Sequence, residues 1–271
     1  MFTFSPLQIT LARSIQDVQQ EIIGTQNQLA DGKRTLNAGE NGIVTRLSSQ
    51  ASAFDTAVKN ITSAQSVISV AATTLKSIAS IATELKNLAT QGASAGLSGG
   101  DRASMSTTFA SLWGQLTTLS GSASINGNNI LDTSDVVSVV YSPDEAAFTM
   151  TGIDFTTSIV DVAATATAVD GTSGTFEASL CASIVGEMTS FIDSVSTSQG
   201  SLTAWNVALD AMSTGAKGVS AGLNSTVDGI QGIDSTALQT KLQSLNNQQS
   251  IDYYLVSQMN TASAAVLAIF R

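Results

Sequence analysis

Apolar residues in the last 37 positions, Ser235 to Arg271, recur at Leu238, Leu242, Leu245, Ile251, Leu255, Met259, Ala262, Val266 and Ile269 or Phe270. Spacings of three and four dominate, which places a stripe along one face of a helix. Neither Gly nor Pro interrupts the stretch, so the predicted helix is continuous and reaches roughly 55 Å at the standard rise. The stripe fades around Gln248, Gln249 and Asp252 and then resumes. Its last residues are bulky and apolar, where a chain end is ordinarily polar and frayed; the expectation is that this end is buried against something.

The opening of the chain offers a partner. Leu7, Leu11, Ile15, Val18, Ile22, Thr25 and Leu29 are spaced 4-4-3-4-3-4, close to the 3.5-residue period of a coiled-coil seam. Ser5 and Pro6 suit a helix start, and Gly32 suits its stop. Two stripes of this kind, one from each end, most simply pack on each other. The residues expected at that seam are Leu7, Leu11, Ile15, Val18, Ile22, Leu29, Leu238, Leu242, Leu245, Leu255, Met259, Val266, Ile269 and Phe270.

Between the ends, Ala30 to Ile43 is rich in Gly and Asn and reads as irregular. A long helix is predicted from Leu47 to Ala93, striped by Phe54, Val58, Ile61, Ile68, Leu75, Ile78, Leu85 and Leu88. Asp101 is the expected cap of a further helix to about Ala123, with Met105, Phe109, Leu112, Leu116 and Leu119 on one face. Residues 125–175 change character. They hold β-branched and alternating runs split by Gly, Pro and Asp, which predicts two or three short strands. A helical stripe returns from Phe176 to Met212, and five glycines in residues 214–234 read as a connector before the terminal helix.

The predicted fold is mainly α: a long antiparallel helical rod with paired N- and C-terminal helices, coiled-coil-like, and a small β-rich knob in the middle. The expected division is residues 1–43 with 235–271 as a terminal helical pair and spoke, 44–124 with 176–234 as a helical rod, and 125–175 as the outer segment.

Composition agrees with a seam rather than an aromatic-rich globule. Aromatic residues are 5% and charged residues 12% of the 271-residue chain, the latter about half the usual share. The net charge of −10 comes from the middle: residues 103–216 hold eleven acids and no Lys or Arg. Such a surface disfavours nucleic acid as a partner and favours a solvated, soluble face. No run of eighteen apolar residues exists, so no membrane insertion is indicated. The N-terminus also lacks the basic and apolar regions of an ordinary signal peptide.

Candidate chemistry is sparse. There is no His, and Cys181 is the single Cys. Imidazole catalysis, multi-thiolate metal sites and an internal disulfide are therefore excluded. Phosphate-cradling motifs of the GxxxxGK[ST] and GxGxxG types do not occur. Asp144 and Glu145 adjoin Pro143, where a solvated turn is the plainer reading than an acid/base pair. Cys181, Trp113 and Trp205 lie on or beside helical stripes and read as packing. The expectation is no catalytic residue, no cofactor, no metal and no enzymatic activity. Part of the apolar stripe would instead be completed by further copies of the chain.

Four stretches then carry a family resemblance: GTQNQLADGKRTLNAGENGI (Gly24–Ile43), LKNLATQGASAGLSGGDRASM (Leu85–Met105), SINGNNIL (Ser124–Leu131) and SQMNTASAAVLAIFR (Ser257–Arg271). In this order, at both ends of the chain, they resemble bacterial flagellins, over residues 1–131 and 176–271. After Lys33 and Arg34 the family carries paired acids and an Ala-rich run; here Glu40 stands alone in NAGENGI. The resemblance implies a structural subunit of the flagellar filament. Such a subunit leaves the cell through the flagellar type III export route and self-assembles with identical or similar flagellins into an extracellular helical tube for swimming motility. It also implies an export apparatus and chaperone, hook-associated proteins and cap proteins as partners. A hook–filament junction protein and a secreted flagellin-like adhesin or effector are the alternatives.

Overall fold

The computed structural model describes residues 6–125, 127–132, 135–153 and 176–269. They form helices α1 (Pro6–Asp31), α2 (Ala38–Gly92) and α3 (Gly99–Gly121), strands β1 (Val136–Val140) and β2 (Ala147–Thr151), and helices α4 (Ala178–Gln231) and α5 (Ser235–Ile269). The fold is mainly α, built on long helices. Packing groups the chain into two compact units, Met1–Ser49 with Leu223–Arg271 and Gln50–Gly222.

The second unit holds the main core. Ile61, Ala64, Ile68, Ala71, Leu75, Ile78, Ala82, Leu85 and Ala89 of α2 are all buried. They alternate in steps of three and four, a heptad seam. Cys181, Ile184, Met188, Phe191, Val195, Ser198 and Leu202 of α4 repeat the same steps and are also buried. The two stretches run antiparallel. Near one end Ser220 Oγ donates to Asp55 Oδ1 at 2.7 Å, and at the other the ring of Phe176 lies against Gly92. Phe109 and Leu116 of α3 close the core from the side. One stretch of α2 reaches a mean hydropathy of 1.3, enough by length and composition to cross a membrane, but its seam residues are spent on this core.

Strands β1 and β2 pair as an antiparallel hairpin, Val139 opposite Phe148 and Val137 opposite Met150. These four share the inward face, with Val139 and Met150 buried. Strand alternation explains the pattern, because every second side chain points to the core. A third predicted strand, from Ile153 onward, falls on residues 154–160, outside those described.

The turn between the strands puts Glu145 at φ 60°, the left-handed region that costs a non-glycine residue about 1–2 kcal/mol. Asp144 and Glu145 are thus turn residues. Glu145→Gly is expected to slow exchange of the Tyr141 amide, which donates to Ala146 O across the turn at 3.0 Å, by roughly threefold, the equivalent of about 0.7 kcal/mol. Hydrogen exchange followed by NMR reads this directly, and an unchanged or faster rate overturns it.

Three helix boundaries differ from the sequence expectation. α2 starts at Ala38 rather than Leu47, because Asn37 caps it. Asn37 Oδ1 accepts from the Glu40 amide at 2.9 Å and Glu40 Oε2 accepts from the Asn37 amide at 3.0 Å, a reciprocal capping box. α3 is capped by Ser98, whose hydroxyl accepts from the Asp101 amide; Asp101 is inside the helix, not at its cap. The predicted connector at 214–234 is helical as far as Gln231, and the break is Gly232 to Asp234. Each helical glycine costs about 0.8–1 kcal/mol relative to Ala. Gly215, Gly218, Gly222 and Gly229 are all exposed, however, while Ser213, Ala216, Ser220 and Val227 stay buried between them. The packed face keeps its period, and that decides the outcome.

Candidate assembly surface

The first unit brings the two ends of the chain together. α1 and α5 lie antiparallel, since Ser14 meets Asp252 while Glu21 meets Lys241. Val18, Ile22 and Leu245 form a small buried core with Leu242 packed against it. Burial of each such side chain stabilises by roughly 1.5–3 kcal/mol. The Glu21–Lys241 ion pair spans 2.8 Å, but both side chains are about half exposed, and pairs of that kind contribute about 0–1 kcal/mol. The apolar contacts therefore dominate.

The same unit ties the connector after α1 to the end of α4. Gly32 ends α1 at φ 64°, a left-handed stop that glycine adopts without a Cβ penalty. Arg34 then donates its amide to Gln231 O at 2.9 Å and its Nε to Ile230 O at 2.5 Å. Its Nη2 reaches Glu40 Oε1 at 2.7 Å. The side-chain hydrogen bond from Arg34, and after it the Asn37 amide, hold the Glu40 carboxyl below the usual carboxylate range. The lone acid after Lys33 and Arg34 thus caps α2 and grips Arg34 at once.

Leu11, Ile15 and Met259 line a groove of about 510 Å³ beside the seam, together with Ile9, Ala12 and Val256. Leu29 and Leu238 are half-buried. Leu255 is 44% exposed and stands off the seam. Leu7, Val266 and Ile269 fall within α1 and α5, and Phe270 lies outside the described residues.

Two seam features were not read from the apolar pattern. Stepping along α5 by three and four from Leu245 leads to Gln249, Asp252, Val256 and Met259, all buried or half-buried. The stripe does not fade at Asp252; its seam positions become polar. Ile251 and Leu255 consequently turn outward, and with Tyr254 they form an exposed apolar face on α5, while Tyr253 lies on the opposite flank, its hydroxyl accepting from Gln19 Nε2 of α1 at 2.9 Å. Ile9 and Ile23 add exposed apolar side chains on α1. Holding a strict heptad through the polar gap would have found this.

The fold and this face define a class: a mainly α protein whose two chain ends pair as long helices and leave apolar side chains uncovered. Residues 6–135 match the family model for the bacterial flagellin N-terminal helical region. Flagellins FljO and FljM of Caulobacter vibrioides are each 23% identical over 264 residues, covering 96% of this chain and 94% of theirs. Among solved structures, a Bacillus cereus flagellin superposes with a TM-score of 0.50 at 18% identity, over 58% of this chain and 88% of that one. A putative flagellar hook-associated protein from Vibrio parahaemolyticus superposes with a TM-score of 0.61 at 13% identity, over 71% of this chain and 98% of that one. These two likenesses speak to the fold alone. Residues 6–135 thus carry the flagellin N-terminal helical region, and the chain is similar to flagellins over most of its length. It is a structural subunit of the flagellar filament, and its place is extracellular, in that filament with other flagellar proteins.

Proposed function

We propose that the α1–α5 pair is the assembly element, and that the exposed face of Ile251, Tyr254 and Leu255 is covered by a neighbouring copy of the chain. The observation that carries this is the burial pattern of α5. Its polar Asp252 is inside the pair, while the large apolar side chains on either side of it are outside. An apolar face of this size on a long helix is costly in water and is the usual mark of a protein–protein contact. Leu7, Leu11, Ile15, Val18, Ile22, Leu29, Leu238, Leu242, Leu245, Leu255, Met259, Val266, Ile269 and Phe270 are the proposed assembly residues. Val18, Ile22 and Leu245 act within the subunit, and Leu255 acts between subunits. The protein works without catalysis. An export apparatus and chaperone deliver it, and hook-associated and cap proteins bound the polymer.

Seeded polymerisation followed by electron microscopy tests the reading. The parent should elongate filament seeds, whereas a hook–filament junction protein or a secreted effector should not. Ile251→Asp combined with Tyr254→Asp replaces two outward side chains and should leave the folded monomer intact. The loss of two buried apolar contacts per interface, about 1.5–3 kcal/mol each, should raise the critical concentration at least about a hundredfold. Polymerisation at the parent's critical concentration overturns the assignment of this face.

A further inference from the structure

The apolar part of the α1–α5 seam fits more than one alignment. Leu11, Ile15, Val18, Ile22 and Leu29 recur near a 3.5-residue period, so sliding α5 by one heptad exchanges one aliphatic contact for another. In a parallel or antiparallel pair of this kind, a polar group at a single seam position fixes the register. Asp252 occupies such a position. It is 7% exposed, and its Oδ2 accepts from Ser14 Oγ at 3.0 Å.

Asp252 stands where the heptad calls for an apolar residue, between Leu245 and Met259. A slip of seven residues in one direction would set it beside Glu21 and Ile22, and in the other beside Leu7. None of Glu21, Ile22 and Leu7 carries a hydroxyl, and the nearby seam hydroxyl of Thr25 already donates to Glu21 O at 2.7 Å. A buried carboxylate that loses its donor is penalised, and the carboxylate of Glu21 would add like-charge repulsion. Correct register keeps the Ser14 hydroxyl on Asp252 and the Val18–Ile22–Leu245 core together.

We propose that Ser14 and Asp252 form a register lock for the terminal helix pair, selecting one alignment at the expense of some stability. An apolar residue at 252 should make the pair no less helical and less discriminating. The full chain with Cys181→Ala carries only introduced thiols. Val18→Cys with Leu245→Cys reports the native register, and Val18→Cys with Leu238→Cys reports the slipped one. With Asp252 present, the native disulfide should form about tenfold or more faster than the slipped one, matching the penalty for an unmet buried polar group. In Asp252→Leu the slipped disulfide should become comparable to the native one, with helicity by circular dichroism equal to or above that of the parent. Ser14→Ala should relax selectivity in the same sense, and Asp252→Asn should keep it. Unchanged selectivity in Asp252→Leu overturns the proposal. Loss of both disulfides together with helix content also overturns it, because Asp252 would then be needed for stability and not for register.

Discussion

A chain lacking residues 236–271 will stay soluble, keep the thermal transition of its larger unit and form no filaments. The deletion removes α5 and with it Leu245, the buried residue that closes the small core on Val18 and Ile22. α1 is 26 residues long, and an isolated helix of such length is marginal in water without a packed face. It therefore loses its order along with its partner. The core running from Ile61 to Leu209 contains no residue of α5, so its heptad seam survives. Sedimentation should find the truncated protein in the supernatant under conditions where the parent pellets as polymer. Circular dichroism should place the melting of the remaining helices within about 2 °C of the parent, less than 1 kcal/mol moves a domain of that size. Pelleting filaments from the truncated chain would remove the terminal pair from the assembly element.

Sequence pattern carried the helical class and the pairing of the ends because both rest on a period, and a period survives in sequence whatever the partner is. Boundaries carried less, since they depend on single hydrogen bonds. Asn37 and Ser98 start helices through their side-chain oxygens, and in Gly- and Asn-rich surroundings either could equally make a turn. The glycines of α4 misled for a different reason. Composition marked a connector, while the buried positions Ser213, Ala216 and Ser220 are too small and polar to register as a hydrophobic stripe. Asp252 shows the same limit at the assembly element. Its burial depends on Ser14 across the pair, 238 positions away, and no local pattern reports that. Glu40, alone after Lys33 and Arg34, was visible as a departure from the family pattern. The partners of Arg34, Ile230 and Gln231, came only with the fold.

Arg102→Ala will be the most damaging single substitution among the polar residues of the larger unit. Arg102 Nη1 donates to Gly92 O at 2.8 Å and to Phe176 O at 2.5 Å, and Nη2 donates to Ser94 O at 2.7 Å. These carbonyls belong to the end of α2, the loop after it and the segment entering α4, so one guanidinium joins three segments. α2 has no basic residue in its own last turn, and a cation there meets both unpaired carbonyls and the negative end of the helix dipole. Beneath this clasp the packing is tight. A Cβ on Gly92 would stand 2.1 Å from the Phe176 ring and 2.7 Å from Cys181 Sγ, and the Phe176 ring stacks at a tilt on Phe109 with centroids 5.9 Å apart. Burial pushes the Cys181 thiol up, with the charge of Arg102 pulling the other way, so the sulfur behaves as a packed apolar atom. Hydrogen bonds from a charged donor contribute about 1.5–3 kcal/mol each, and loop carbonyls recover part of that from water. The expected loss is about 3–4 kcal/mol, or about 10 °C in melting temperature for a unit of this size. Arg102→Lys should recover less than half, because an ammonium on a flexible stem cannot reproduce the planar fork. Thermal melts of the two variants beside the parent decide it. An alanine variant melting within about 2 °C of the parent would mean that water serves those three carbonyls as well as the guanidinium does, and the clasp would hold nothing.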